Sequence, residues 1–85
     1  METRVAVIGI IVEDESSVER LNQILHEFAP YVVGRMGIPY REKGINIISV
    51  AVDAPSDTIS AFAGRIGNLP GVSAKAAYSS FVSQA

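Results

Sequence analysis

The sequence predicts an α+β fold: a four-stranded antiparallel sheet with two helices on one face. Two observations lead there. Short apolar, β-branched runs alternate with two amphipathic stretches of helical period in the order β-α-β-β-α-β. The two middle strands are separated by only a short segment that contains the turn "REKG", whereas the outer pairs are bridged by helix-length segments.

The first strand is "VAVIGIIV", Val5–Val12, bounded by Arg4 and the acidic "EDE". An unbroken β-branched run of this length is the pattern of a strand buried on both faces. In "ESSVERLNQILHEF", Val18, Leu21, Leu25 and Phe28 recur at helical spacing and Ile24 widens the stripe. Ser16 with Glu19 three residues on predicts a capping box, and Pro30 stops the helix. Tyr31–Ile38 is the second strand, and Gly44 supplies a left-handed position in the turn after it. Asn46–Asp53, "NIISVAVD", is the third strand.

Pro55, Ser56 and Asp57 open the second helix, with Asp57 the expected cap. Its stripe is Ile59, Phe62, Ala63 and Ile66. Gly64 within it costs about 1 kcal/mol relative to alanine, which points to close packing there. Gly67 and "LPG" end the helix. "VSAKAAY", Val72–Tyr78, alternates as a half-exposed fourth strand, and "SSFVSQA" is weakly determined. This order is the split βαβ of the ferredoxin-like type, and right-handed crossovers set both helices on one face. The most apolar strands, one and three, belong in the centre, and two and four at the edges.

The chain of 85 residues reads as a single domain near the lower end of what folds unaided, burying about 60–65% of its unfolded surface. It has no cysteine, which excludes disulfides and thiolate metal sites. A net charge of -2 with pI near 5.2 gives no electrostatic footprint for nucleic acid. The apolar run is too short to span a bilayer and lacks a basic leader and a cleavage site, so a cytoplasmic location is expected. Hydrophobic residues make up 48%, a high share for so small a domain. Strand one is apolar on both faces, and strand three offers Ile47, Ser49 and Ala51 opposite Ile48, Val50 and Val52. The helix-free face would therefore be an apolar patch, which marks an interaction surface. A homo-oligomer, dimer or tetramer, is expected to close it.

The "GRMGIPYRE" run and the spaced "G-x-x-G-x-L-x-G-V" of residues 64–72 resemble the iron-only hydrogenase system regulators. These are compact ACT-like domains also similar to the C-terminal domain of the nickel-responsive repressor. The likeness runs from Arg4 to about Lys75. It implies a regulatory role, and small effectors bound at subunit junctions, without fixing a ligand. Two departures bear on this. The loop after the first strand is "EDESS", without the glycine usual in amino-acid-binding ACT domains. His26 stands alone with no cysteine, so the repressor's histidine-cysteine metal site has no counterpart. That repressor's ribbon-helix-helix segment has none either, and direct binding to nucleic acid is not expected.

Candidate functional residues follow from these patterns. His26 is the sole candidate metal ligand, and a lone histidine is an ordinary surface partner, since metal sites want clustered donors. Glu13, Asp14, Glu15 and Glu19 suit the positive end of a helix dipole and match no calcium-loop spacing. No nucleophile elbow and no phosphate loop occurs, which argues against an enzyme. In the second strand Arg35 and Met36 alternate faces. Met36 with Val32 and Ile38 is assigned to the core, and Arg35 with Val33 and Gly37 to the open face. An arginine there needs a carboxylate of another chain or a bound anion. Arg35, Tyr40 and Arg41 are thus the candidate ligand residues for a small anionic effector. Val33, Arg35, Gly37, Ile47, Ser49 and Ala51 are the candidate oligomer interface. Two other readings stand beside the regulator: an assembly module without ligand, and a small dimeric α+β barrel enzyme with His26 as acid or base.

Overall fold

The computed structural model describes the backbone of residues 2–84 and the side chains of residues 2–80. Its elements are β1 (Glu2–Val12), α1 (Val18–Glu27), β2 (Val32–Tyr40), β3 (Ile45–Ala54), α2 (Ser56–Gly67) and β4 (Val72–Gln84), with short 3₁₀ turns between some of them. The sheet order is β2-β3-β1-β4, and each neighbouring pair is antiparallel. The ferredoxin-like arrangement is therefore as expected, with β1 and β3 central and β2 and β4 at the edges. Strand β4 continues through "SSFVSQ" well beyond Tyr78, and Ala85 lies outside the described residues.

The core lies between the sheet and the helices. Ala6, Ile8, Ile10 and Val12 of β1 and Val50, Val52 and Ala54 of β3 bury their side chains against Leu21, Ile24 and Leu25 of α1 and Ile59, Phe62 and Ile66 of α2. Strand β1 is thus buried on one face within the chain, not on two. Its alternate residues Val7 and Ile11 remain about 44% and 43% exposed. The helices meet where Phe28 stacks on Phe62, with ring centroids 4.4 Å apart and planes 12° from parallel. The Arg65 guanidinium lies 5.7 Å from the Phe28 ring centroid and forms an ion pair with Glu27, so one residue of α2 holds the end of α1 by stacking and by charge.

Several local expectations are corrected. The Ser16–Glu19 capping box does not form. A 3₁₀ turn (Glu15–Ser17) precedes α1, and Asp14 caps it, its Oδ1 accepting from the Ser16 amide at 3.0 Å and the Ser16 hydroxyl at 2.7 Å. Those two donors, the hydroxyl first, hold the Asp14 carboxyl below its ordinary range. Asp57 lies inside α2, bonded to the Thr58 amide, and the cap position is Pro55. Gly64 is exposed, with nothing within 4 Å of where a Cβ would stand, so close packing does not explain it.

Close approach occurs instead at Gly71. Its φ is +67°, and a Cβ there would come within 2.5 Å of the Asp14 Cβ and 3.0 Å of the Asp14 nitrogen. The Glu13 amide donates to the Gly71 carbonyl at 2.7 Å, and the Ser17 hydroxyl to the Pro70 carbonyl at 2.6 Å. The "LPG" turn and the "EDESS" loop are therefore clamped together, and the glycine that allows it comes from the turn. At the other end of β1, β4 carries two extra residues between its pairings with Ala6 and Arg4. The Arg4 guanidinium bridges this break, donating to the Ser79 carbonyl at 2.9 Å.

Two outcomes are expected. Gly71→Ala should lower stability by at least about 1–2 kcal/mol from the left-handed backbone alone, with the Asp14 overlap adding to it, seen as a lower urea midpoint. For Glu27, the Arg65 hydrogen bond and charge hold the carboxyl below its ordinary 4.5. The unfolded chain then takes up that proton first. Its contribution is complete above the ordinary carboxylate range and is lost as the pH falls through the lower folded value. Glu27→Gln should flatten this part of the acid limb in urea midpoints measured from pH 7 to 3, and added salt should shrink the difference between the two proteins.

Candidate functional site

Strand β2 positions both surfaces of interest. Gly34, Met36, Ile38 and Tyr40 pair opposite Ala51, Ser49, Ile47 and Ile45, whereas Val32 pairs opposite Val52. Val33 is thus an extra residue, a bulge, between Val32 and Gly34. Directly opposed residues of an antiparallel pair share a face. Because side chains alternate with period two, one inserted residue reverses every position after it. Arg35 and Gly37, opposite the core-facing Val50 and Ile48, therefore lie on the helix side. Met36 and Ile38 lie on the open side. This is the reverse of the assignment from simple alternation. A Cβ on Gly37 would stand 4.0 Å from the Ile48 Cγ1, on the helix side as the register requires. Only Val32 of the three residues assigned to the core packs against it.

The open face can now be read in rows across the sheet. One row is Ile38, Ile47, Ile11 and Ser73; the next is Met36, Ser49, Gly9 and Lys75; the third is Gly34, Ala51, Val7 and Ala77. Met36 is 62% exposed and Ile38 51%. Lys75 is the one charged residue in these rows. Gly9 leaves a shallow depression of about 330 Å³ at the centre, lined by Ile11, Ile47, Ser49, Ser73 and Lys75. Of the expected interface residues, Ile47, Ser49 and Ala51 lie on this face, Val33 stands exposed at the bulge, and Arg35 and Gly37 lie behind it. Val7, Ile11, Met36 and Ile38, outside the expected set, also lie on this face. The apolar character of both faces of β1 was the available signal for the first two.

On the helix side, β2 presents Val32, Arg35, Gly37 and Pro39 beside α1, and a trough runs between them. One end, about 450 Å³, is lined by Asn22, Leu25, His26, Ala29, Val32 and Arg35. The other, about 270 Å³, is lined by Val12, Leu21, Gly37, Pro39, Asn46 and Ile48, and Asn22 borders both. Arg35 forms no hydrogen bond or ion pair among the described residues. Tyr40 and Arg41 do not join it. The Tyr40 hydroxyl, on the open side of β2, lies 3.5 Å from a Glu42 oxygen. Arg41 lines a separate depression with Glu15, Pro39, Gly44 and Asn46. The three expected ligand residues are thus on different surfaces. Asn22 and Leu25, absent from that set, accompany Arg35 and His26 instead. Among the described residues no group of three or more His, Asp or Glu side chains could hold a metal ion, and no helix is long and apolar enough to cross a membrane.

A ferredoxin-like α+β chain with an apolar open sheet face and one trough beneath its first helix defines the class. Within it, the chain belongs to the TM1266-like family, described as iron-only hydrogenase system regulators, whose family model matches residues 4–76. The solved structure of the uncharacterized protein TM1266 from Thermotoga maritima superposes with a TM-score of 0.86 at 31% identity, over 89% of this chain and 96% of that one. A formyltetrahydrofolate deformylase from Pseudomonas putida KT2440 shares the fold at TM-score 0.61 and 17% identity, over 85% of this chain and 28% of that one. A search of curated proteins returns no match.

Proposed function

We propose that the chain is a non-enzymatic regulatory protein of the iron-only hydrogenase system. In this reading it works as a homo-oligomer that closes its open sheet face on a second copy and responds to a small anionic effector. Family membership supports the regulatory role. The observation that carries the assembly is the open face itself: Val7, Ile11, Met36, Ile38 and Ile47 are exposed together across three strands. Scattered exposed apolar residues are ordinary, but a contiguous patch on a sheet marks an interface. Two such faces stack about 10 Å apart, and a two-fold axis makes the same rows meet themselves. The depression at Gly9 offers room for a bulky side chain such as Met36 of the second copy.

Ile47→Lys, at the middle of the most apolar row, places a charge where the second sheet would stand. Native mass spectrometry of protein purified without added ligand should show an oligomer for the wild type and a monomer for Ile47→Lys, with unchanged circular dichroism. A wild-type monomer at micromolar concentration would remove the reading.

A further inference from the structure

We propose that the trough between α1 and β2 binds a small carboxylate bearing a short apolar tail. The carboxylate is held by Arg35 and His26, and the tail lies over Gly37. The two ends of the trough differ in chemistry. At one, Arg35 and His26 line the space beside Asn22. Arg35 has no acidic partner among the described residues. Of the acids on α1, Glu27 is engaged by Arg65; Glu19 and Glu27 share an outer depression with Asn22, Gln23 and His26, and neither lines the space around Arg35. A guanidinium always carries charge, and its planar fork matches the two oxygens of a carboxylate.

At the other end the walls are mostly apolar, Val12, Val18, Leu21, Pro39 and Ile48, with Asn22 and Asn46 as the polar members. The strand contributes no side chain at Gly37, and Pro39 contributes no amide donor, so β2 itself asks for no polar partner there, and no charged residue lines this end. Arg35, Gly37 and Pro39 share one side of the strand at intervals of about 7 Å. A ligand lying along β2 thus meets charge first and apolar surface next. Amphipathic anions suit that sequence of environments better than phosphate, which has no apolar part, or than a neutral alcohol, which leaves Arg35 unmatched.

The proposal deepens the effector-sensing part of the preceding reading and rests on it, but the trough is complete within one protomer. Its test is therefore separate from that of assembly. Hexanoate, hexan-1-ol and inorganic phosphate are titrated into the ¹⁵N-labelled full chain, with amide shifts followed by NMR and oligomer mass recorded on the same samples. Hexanoate should give saturable shifts at Asn22, His26, Arg35 and Gly37. Its affinity should fall at least tenfold in Arg35→Gln. In Gly37→Leu, whose side chain fills the apolar end, the shifts near Pro39 should vanish. Gly37 needs no left-handed backbone and has ordinary space at its Cβ, so this variant is expected to fold. Equal hexanoate affinity in wild type and Arg35→Gln would overturn the proposal. So would phosphate binding as tightly as hexanoate, hexan-1-ol binding as tightly, or no saturable shift in the trough. Failure in the trough with an intact oligomer removes only the ligand; a monomer that still binds hexanoate removes only the assembly.

Discussion

The alternation of side chains along β2, and the single residue that interrupts it, decide what each surface of the protein is made of. With Val33 set outside the pairing, Met36 and Ile38 join the open face, and Arg35 and Gly37 turn beneath α1. Without that bulge the two sets would change places. A charged guanidinium would then stand on the apolar sheet face, and a methionine and an isoleucine would fill the trough. The apolar continuity of one face and the emptiness of the other thus have one geometric cause. Edge strands accept such insertions because only one neighbour has to accommodate the lost pairing.

Much of the fold is legible from patterns that repeat. The stripes of α1 and α2 and the apolar runs of β1 and β3 each report burial several times over, so one misleading residue does not hide them. The strand order follows from relative hydrophobicity, since β1 and β3 must be covered and β2 and β4 need not be. The bulge is different. It is a single event, marked by no residue type that β2 lacks elsewhere, and everything downstream inherits it. Arg35 was recognised as a residue needing a partner, which its chemistry requires, while its direction depends on a count that local sequence does not hold. Capping of α1 failed for a related reason: Ser16 and Glu19 are good cap residues, but Asp14 caps the turn before the helix, and the long-range clamp to the Leu69–Gly71 turn holds that entry in place. Gly64 and Gly71 make the same point. Both are glycines in one spaced motif, and only Gly71 has a neighbour that would reject a side chain.

The proposed assembly face and the proposed ligand trough lie on opposite sides of the same strand. Residues that alternate between them, Arg35 with Met36 and Gly37 with Ile38, are joined by single peptide bonds. A small change in the twist or position of β2 would alter both surfaces together. Any coupling of this kind is reciprocal: if occupancy favours one assembly state, that assembly favours occupancy by the same factor. Strand β2 has a neighbour on one edge only, which leaves it freer to shift than β1 or β3.

The central place of β1 carries a consequence for how the chain is made. Strand β1 needs two partners, β3 and β4, and both are synthesised after it. At ordinary translation speeds the forty or so residues between the end of β1 and the end of β3 take roughly two to eight seconds to appear. Throughout that interval the ribbon of Val5–Val12 is a bare β-branched segment with neither edge paired. Its neighbours in sequence, Arg4 on one side and Glu13, Asp14 and Glu15 on the other, place charge at both ends of the run. They stand where gatekeepers against association between nascent chains would be placed.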